Sequence, residues 1–148
     1  MHTFSTRRFL AASPSEVFAA MADPQRLARW WGPAGFSNAF DVFEFRQGGR
    51  WVFTMVGPDG ARYPNEAVFE RIETDRQVVI AHTVQPLFRL TITLMPGPCG
   101  TEVLWEQVFD DAEVAKAIAA IVEPANEQNL DRWARELGLR PGPDATAK

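Results

Sequence analysis

The chain has 148 residues, of which 46% are hydrophobic and 23% charged, and its formal net charge is −4. This length predicts one domain over residues 1–148, large enough to bury about 68–70% of its unfolded surface. The chain has no basic cluster, so nucleic acid is not an expected partner, and no apolar run approaches the ~20 residues of a membrane span. The lack of a secretory signal and the single cysteine, Cys99, predict a cytoplasmic protein.

The first part of the chain predicts one strand followed by two short helices. Residues 3–12 have the apolar pattern of a strand. Residues 13–16 (Ser-Pro-Ser-Glu) are typical of a helix start, because they combine a capping serine, a proline at the first helical position and a glutamate that can bond back. Asp23-Pro24 repeats this signal, and Gly32-Pro33 ends the second helix.

From residue 36 onward the pattern changes to an alternation of apolar and polar residues, which is typical of strands with one buried face. Short turn sequences separate the runs, so consecutive strands are expected to pair antiparallel. The six runs are residues 36–46, 51–56, 63–70, 78–83, 88–94 and 102–107. The apolar parity of the first run shifts from Phe36, Phe40 and Val42 to Phe43 and Phe45, which predicts a β-bulge within this strand.

The last long pattern, over residues 111–139, is helical. Its apolar stripe includes one polar residue, Asn126, beside Leu130, Trp133, Ala134 and Leu137. The opposite side, which is expected to face solvent, carries Glu127, Asp131, Arg132, Arg135 and Glu136. Asp110 and Glu113 offer a capping box, and Pro124 predicts a kink or break between a short helix and a longer one.

This order of elements predicts an α+β fold. An antiparallel sheet has to cover its apolar face, and the terminal helix is the one element long enough to do so. We therefore expect a curved antiparallel sheet wrapped around a long C-terminal helix, with two short helices after the first strand. Residues 140–148 are rich in Pro, Gly, Ala and charge and are expected to form a disordered tail.

Five motifs, taken together and in order, resemble those of the homologues of the heat-shock-protein-90 ATPase activator. They occupy residues 23–36 (with Trp-Trp-Gly-Pro), 46–51, 58–60, 63–66 and 126–132. The resemblance runs from about Phe9 to Leu139, and the combination is more specific than any one motif. It implies the helix-grip fold of the START-like (SRPBCC) superfamily.

What the resemblance implies about activity is limited. The superfamily includes lipid carriers, polyketide cyclases and aromatases, hormone receptors and co-chaperone domains, so the fold does not define the function. A chaperone ATPase is the partner that the family name suggests, with a role in stress responses.

No residue pattern predicts metal, cofactor or nucleophilic chemistry. His2 and His82 are the only histidines, and Cys99 is far from both in the expected meander, so no zinc ligand cluster is expected. Gly48-Gly49 precedes a strand rather than a helix, unlike a phosphate-binding loop. We therefore predict no cofactor, no metal and no catalytic residue set.

Four polar residues share the parity of apolar neighbours and are expected to point inward: Asn65, His82, Gln107 and Asn126. Each of them could satisfy a backbone group at the end of an element, and a lone histidine such as His82 is more often a hydrogen-bonded core residue. Buried polar groups need partners, however, and a bound ligand could supply them. The hydrophobic residues predicted to line a cavity with them are Trp31, Trp51, Phe53, Met55, Tyr63, Phe69, Phe88 and Trp105.

The leading prediction is non-enzymatic binding of a small hydrophobic or aromatic molecule in a cavity between the sheet and the C-terminal helix. One alternative is a co-chaperone-type module that acts on a heat-shock ATPase. Another is a cyclase or hydrolase that uses Glu66 or His82 as its base. Glu66 would serve only if it pointed inward, where desolvation would raise its pKa.

Overall fold

The computed structural model describes residues 1–140, and in this range seven strands and three helices follow the predicted order. The elements are β1 (His2–Leu10), α1 (Pro14–Ala22), α2 (Pro24–Trp30), β2 (Ser37–Phe43), β3 (Arg50–Val56), β4 (Arg62–Glu73), β5 (Gln77–His82), β6 (Phe88–Gly97), β7 (Gly100–Phe109) and α3 (Ala112–Glu136). The predicted tail lies outside the described residues, except for Arg140.

The seven strands form one antiparallel sheet in the order β1-β7-β6-β5-β4-β3-β2. Strands β2 to β7 follow one another as a meander, because each is joined to the next by a short connection. Strand β1 pairs with β7, so that His2 lies opposite Phe109. The predicted bulge is confirmed as a register shift between Phe40 and Val42, and a second shift, between Phe69 and Arg71, was not predicted.

The two short helices begin as their sequences predict. The backbone N–H of Glu16 donates to the Ser13 hydroxyl at 3.2 Å, and the Ser13 N–H donates to the Glu16 carboxylate at 2.9 Å. Asp23 caps α2 by accepting from the N–H of Gln25 at 2.9 Å. The indole N–H of Trp30 then donates to the carbonyl of Ala20, which holds α2 against α1.

The long helix differs from its prediction in two respects. Its N-cap is Asp111 rather than Asp110, because the Asp111 carboxylate accepts from the first-turn N–H groups. The helix is also continuous through Pro124, where a kink or break was predicted. Proline there leaves the carbonyl of Ala120 without its helical donor, but both residues are exposed, so water can satisfy that carbonyl.

The concave face of the sheet packs on the second half of α3. Leu130, Trp133 and Ala134 are buried there, and Trp133 stacks on Trp30 with ring centroids 4.3 Å apart. A smaller cluster of Phe4, Phe109 and Ala115 fastens the first half of α3 to the edge of the sheet. No helix of residues 1–140 combines the length and the apolar character that crossing a bilayer requires.

The charged side of α3 faces solvent only in part: Glu127 and Arg135 are exposed, but several of its side chains bind other elements. Arg8 of β1 is only 2% exposed, and its guanidinium donates to Asp131 at 2.8 Å and to Glu127 at 2.9 Å. Glu136 accepts from two arginines of α2, Arg26 and Arg29. The helical pattern shows which face is apolar, but it does not show which charged side chains meet opposite charges on other elements.

Candidate functional site

A cavity of about 230 Å³ lies between the concave face of the sheet and α3. An apolar cavity of about 150 Å³ holds benzene, whereas drug-sized ligands occupy roughly 300–1,000 Å³. The space therefore suits a molecule of one or two rings, and it is too small for a two-chain lipid. Its wall consists of Trp31, Gly32, Pro33, Trp51, Phe53, Met55, Asn65, Ala67, Ile80, His82, Pro86, Phe88, Leu90, Trp105, Gln107, Ala125, Asn126 and Asn129.

A wider depression of about 510 Å³ lies near the β4–β5 turn. Arg71, Glu73 and Arg76 are among the residues that line it, and both arginines are exposed. Small-molecule sites are lined mostly by apolar side chains, so this groove with its exposed arginines is a weaker candidate than the smaller cavity under α3.

Aromatic rings form much of the cavity wall. Trp31 follows α2, and its ring centroid lies 5.0 Å from that of Trp51 and 5.8 Å from that of Trp105. Trp51 and Phe53 alternate along β3, so both point to the same face, and their rings stack at 4.2 Å. Such rings offer flat apolar surfaces on which a planar ligand can stack.

His82 is a buried polar group at the end of β5. Its Nδ1 lies 2.8 Å from the carbonyl oxygen of Pro86, and its Nε2 lies 2.7 Å from Oδ1 of Asn65. The imidazole also stacks on Phe88, with centroids 4.6 Å apart. Each ring nitrogen therefore lies within hydrogen-bonding distance of an oxygen, and a neutral imidazole donates to one of the two, according to its tautomer.

A second polar group joins the sheet to the helix. The Nδ2 of Asn126 on α3 donates to Oε1 of Gln107 on β7 at 3.1 Å. Gln107 is only 8% exposed, and both side chains lie in the cavity wall. One amide pair thus spans from the sheet to the helix that covers it.

Asn129 is a wall residue that the sequence analysis missed. It is 5% exposed, and its Nδ2 donates to the backbone carbonyl of Trp30 at 3.0 Å. It lies three residues after Asn126, and therefore on the same helical face, which is the signal that could have identified it.

Arg132 holds the loop that carries part of the cavity wall, although its position in the helical pattern predicted exposure. Its Nη1 and Nη2 donate at 2.7–3.0 Å to the backbone carbonyls of Arg29, Trp31, Gly32, Pro33 and Phe36. These carbonyls converge because the loop turns back at Gly32 and Gly35, both of which have positive φ. Burial, and secondarily the nearby Arg135, lower the pKa of Arg132 below its ordinary value.

Two donors in the cavity wall lack acceptors. Within residues 1–140, the indole Nε1 atoms of Trp51 and Trp105 are buried and have no hydrogen-bond partner. A buried donor without an acceptor costs about 1–3 kcal/mol.

Ten of the twelve predicted site residues lie in the cavity wall, and Tyr63 and Phe69 do not. Tyr63 lies near the start of β4 beside Phe36 and stays 47% exposed. Phe69 points inward, but Trp51 stacks on it at 5.5 Å, and Phe45 packs against its edge. Alternation along β4 indicated the correct face, but it could not indicate where along that face the cavity ends.

The two residues considered as a catalytic base lie in different surroundings. Glu66 is exposed on the opposite face of β4 from Ala67, whereas His82 lies in the cavity wall with its two nitrogens beside the oxygens of Pro86 and Asn65. Among residues 1–140, no three His, Cys, Asp or Glu side chains are grouped closely enough to hold a metal ion. The cavity wall is thus an aromatic and amide surface with a single titratable residue, His82.

A curved antiparallel sheet that grips a long C-terminal helix around an interior cavity defines a helix-grip protein of the START-like superfamily. The family model described as "Activator of Hsp90 ATPase homolog 1-like protein" matches residues 11–138. The chain therefore belongs to this family, which confirms the resemblance of its motifs. No curated protein matches the chain.

Several solved structures share the fold. A solution structure from Arthrobacter aurescens is 24% identical with a TM-score of 0.84, over 92% of this chain and 86% of that one. A crystal structure from Nitrosomonas europaea is 19% identical with a TM-score of 0.83, over 92% and 94%. An AHSA1-like protein from Aeromonas hydrophila is 22% identical with a TM-score of 0.73, over 93% and 92%. At these identities the likeness establishes the fold alone.

Proposed function

We propose that this protein binds a small hydrophobic or aromatic molecule, of one or two rings, between the sheet and α3. The observation that carries the proposal is the interior cavity of about 230 Å³ with its wall of aromatic rings and a few amide groups. Sites for small molecules have this makeup, with apolar walls for affinity and a few polar groups for orientation. Burial of the ligand's apolar surface would drive binding at about 25 cal/mol per Å².

The proposed binding is non-enzymatic and takes place in the cytoplasm. Its support is the arrangement at the cavity, where the His82 ring lies between the Pro86 carbonyl and the Asn65 side chain and Glu66 faces solvent. The exposed thiol of Cys99 suits a reducing compartment.

A matched pair of substitutions tests the cavity. Ala67 on β4 lines the cavity, whereas Ala81, on the neighbouring strand β5, lies on the other face of the sheet. We expect a library of one- and two-ring compounds to yield ligands that quench tryptophan fluorescence of the wild type and of Ala81→Leu. Ala67→Leu should lose this binding, because the added carbons occupy the cavity. A library with no ligand, or ligands that bind Ala67→Leu equally well, would contradict the proposal.

The natural ligand can be sought directly. Protein purified from its own host and analysed by mass spectrometry under denaturing conditions should release a small molecule. The same purification of Ala67→Leu should release none.

The family description supports a second candidate, a co-chaperone-type module that acts on an Hsp90-type ATPase. Its test is the ATPase rate of the host's own chaperone with and without the purified protein. A rate change that persists with Ala67→Leu would favour this function, because a surface contact does not need the cavity. If the wild-type protein leaves the ATPase rate of the chaperone unchanged, the co-chaperone function is excluded.

A further inference from the structure

The Gln107–Asn126 pair leaves part of its hydrogen-bonding capacity unused. A primary amide carries one carbonyl acceptor and two N–H donors, and the single bond between the two side chains uses only one donor and one acceptor. Within residues 1–140, the Nε2 of Gln107 and the Oδ1 of Asn126 have no hydrogen-bond partner. The pair therefore offers a donor on the sheet side and an acceptor on the helix side.

This complementarity does not depend on which way the two amides are turned. If both side chains exchange oxygen and nitrogen, Gln107 donates to Asn126 and the bond is kept in reverse. The exchange leaves a free acceptor on Gln107 and a free donor on Asn126. In either arrangement the pair matches a ligand edge that presents both a carbonyl and an N–H group.

The surroundings of the pair favour a neutral ligand with a carbonyl group. Trp105 lies two residues before Gln107 on the same face of β7, and its indole N–H also lacks an acceptor. The residues that line the cavity include no Asp, Glu, Lys or Arg that could balance the charge of a buried ion. Trp31 and Trp105 lie against each other, with ring centroids 5.8 Å apart, and both line the cavity, so they form an aromatic wall beside the pair.

We propose that the cavity takes a neutral, planar molecule with a carboxamide or lactam edge, which the Gln107–Asn126 pair recognises. The ligand's carbonyl accepts from one amide of the pair, its N–H donates to the other, and its ring lies against Trp105. This inference rests on the proposed binding function and adds the chemical class of the ligand.

Three probes of nearly equal shape separate amide recognition from simple apolar binding. Benzamide carries both groups, acetophenone keeps only the carbonyl, and α-methylstyrene has neither. In the full-length ¹⁵N-labelled protein, we expect benzamide to shift the side-chain amide resonances of Gln107 and Asn126. α-Methylstyrene should shift cavity resonances without moving these two amides, and acetophenone should move one of them.

A matched pair of variants supplies a second measurement. Gln107→Met keeps the length of the side chain but removes its hydrogen bonds, and Gln77→Met makes the same change on β5 outside the cavity wall. We expect Gln107→Met to weaken benzamide binding by roughly threefold to tenfold, the value of one hydrogen bond. Gln107→Met should not weaken the binding of α-methylstyrene, which makes no hydrogen bond to the pair, and both affinities of Gln77→Met should stay within about twofold of the wild type.

The outcomes distinguish this inference from the function on which it rests. If α-methylstyrene and benzamide both bind but leave the Gln107 and Asn126 amides unmoved, amide recognition is wrong and cavity binding stands. If none of the three probes binds, the proposed function fails and this inference fails with it. If Gln107→Met does not fold, the amide resonances of the wild-type protein decide the question.

Discussion

Both nitrogens of the His82 ring lie beside oxygen atoms, one beside the carbonyl of Pro86 and the other beside the side chain of Asn65. A polar ring at the edge of an apolar cavity needs such partners, because an unpaired buried nitrogen costs about 1–3 kcal/mol. Together with the stacked Phe88, these contacts hold the imidazole as a fixed part of the wall. At this scale the cavity is shaped by hydrogen bonds as much as by apolar contacts.

Removing the partner of His82 should therefore weaken the fold. We expect Asn65→Ala to lower the free energy of unfolding by about 1–2 kcal/mol, because Nε2 of His82 loses its buried partner. Urea denaturation measures the change, and Gln85→Ala, an exposed position in the adjacent loop, is the control that should stay within about 0.5 kcal/mol. Equal unfolding midpoints for the two variants would show that the contact contributes nothing.

At the scale of elements, α3 is the helix to which β1, α2 and the α2–β2 loop are bound. Its polar side binds Arg8 of β1. Its own Glu136 binds α2, and its own Arg132 binds the α2–β2 loop. These contacts join residues about 100 or more positions apart. A helical pattern does not show which distant residues a helix contacts. For this reason the pattern predicted that the polar side chains of α3 would face solvent.

The Arg132 contacts predict a specific loss of stability. Lysine has no planar fork of donors, so it cannot donate hydrogen bonds to all five carbonyls that converge on this guanidinium. We expect Arg132→Lys to lower the free energy of unfolding by about 2 kcal/mol. The exposed Arg135, one turn from the loop contacts, gives the control Arg135→Lys, which should change it by less than about 0.5 kcal/mol. The result to look for is a lower urea midpoint for the first variant alone.

The Glu136 contacts predict a pH dependence. The hydrogen bond from Arg29, aided by Arg26, lowers the pKa of the Glu136 carboxyl below its ordinary value of 4.5. A carboxylate whose pKa is lower in the folded state stabilises the protein above its unfolded pKa, and this contribution is lost as the pH falls through the folded pKa. Below about pH 4.5, the wild type should therefore lose up to about 1 kcal/mol more stability than Glu136→Gln.

The control for this pH dependence is the exposed Glu123 on the same helix. Glu123→Gln should follow the wild-type curve of unfolding free energy against pH. Parallel curves for Glu136→Gln and the wild type would refute the role assigned to the ion pair.

At the scale of the whole molecule, the sheet, the helices and their order could be predicted, because local periodicity and turn residues indicate each of them. The inward direction of Asn65, His82, Gln107 and Asn126 followed from the same periodicity. The extent of the cavity did not, because it depends on which rings meet across the interior, as Trp51 and Phe69 do at 5.5 Å. The continuity of α3 through Pro124 depends on solvent around one carbonyl, which a residue pattern does not show.

A ligand that occupies the cavity should stabilise the whole fold. At a free concentration 100 times its Kd, a ligand that binds only the folded state adds about 2.7 kcal/mol, which raises the Tm by roughly 5–10 °C. We expect this rise, increasing with concentration, for the tightest-binding member of the compound library. Ala67→Leu should show no rise with the same compound, and a constant Tm for the wild type would be the contrary result.

The pairing of β1 with β7 has a consequence for the order in which the protein is made. Strand β1 is made before the other strands of the sheet, but its partner β7 follows about a hundred residues downstream, and the helix that covers the sheet is made later still. Until then the meander presents its aromatic face to the cell. We expect synthesis arrested before α3 to yield nascent chains that recruit holdase chaperones, and chains released after α3 to fold free of them.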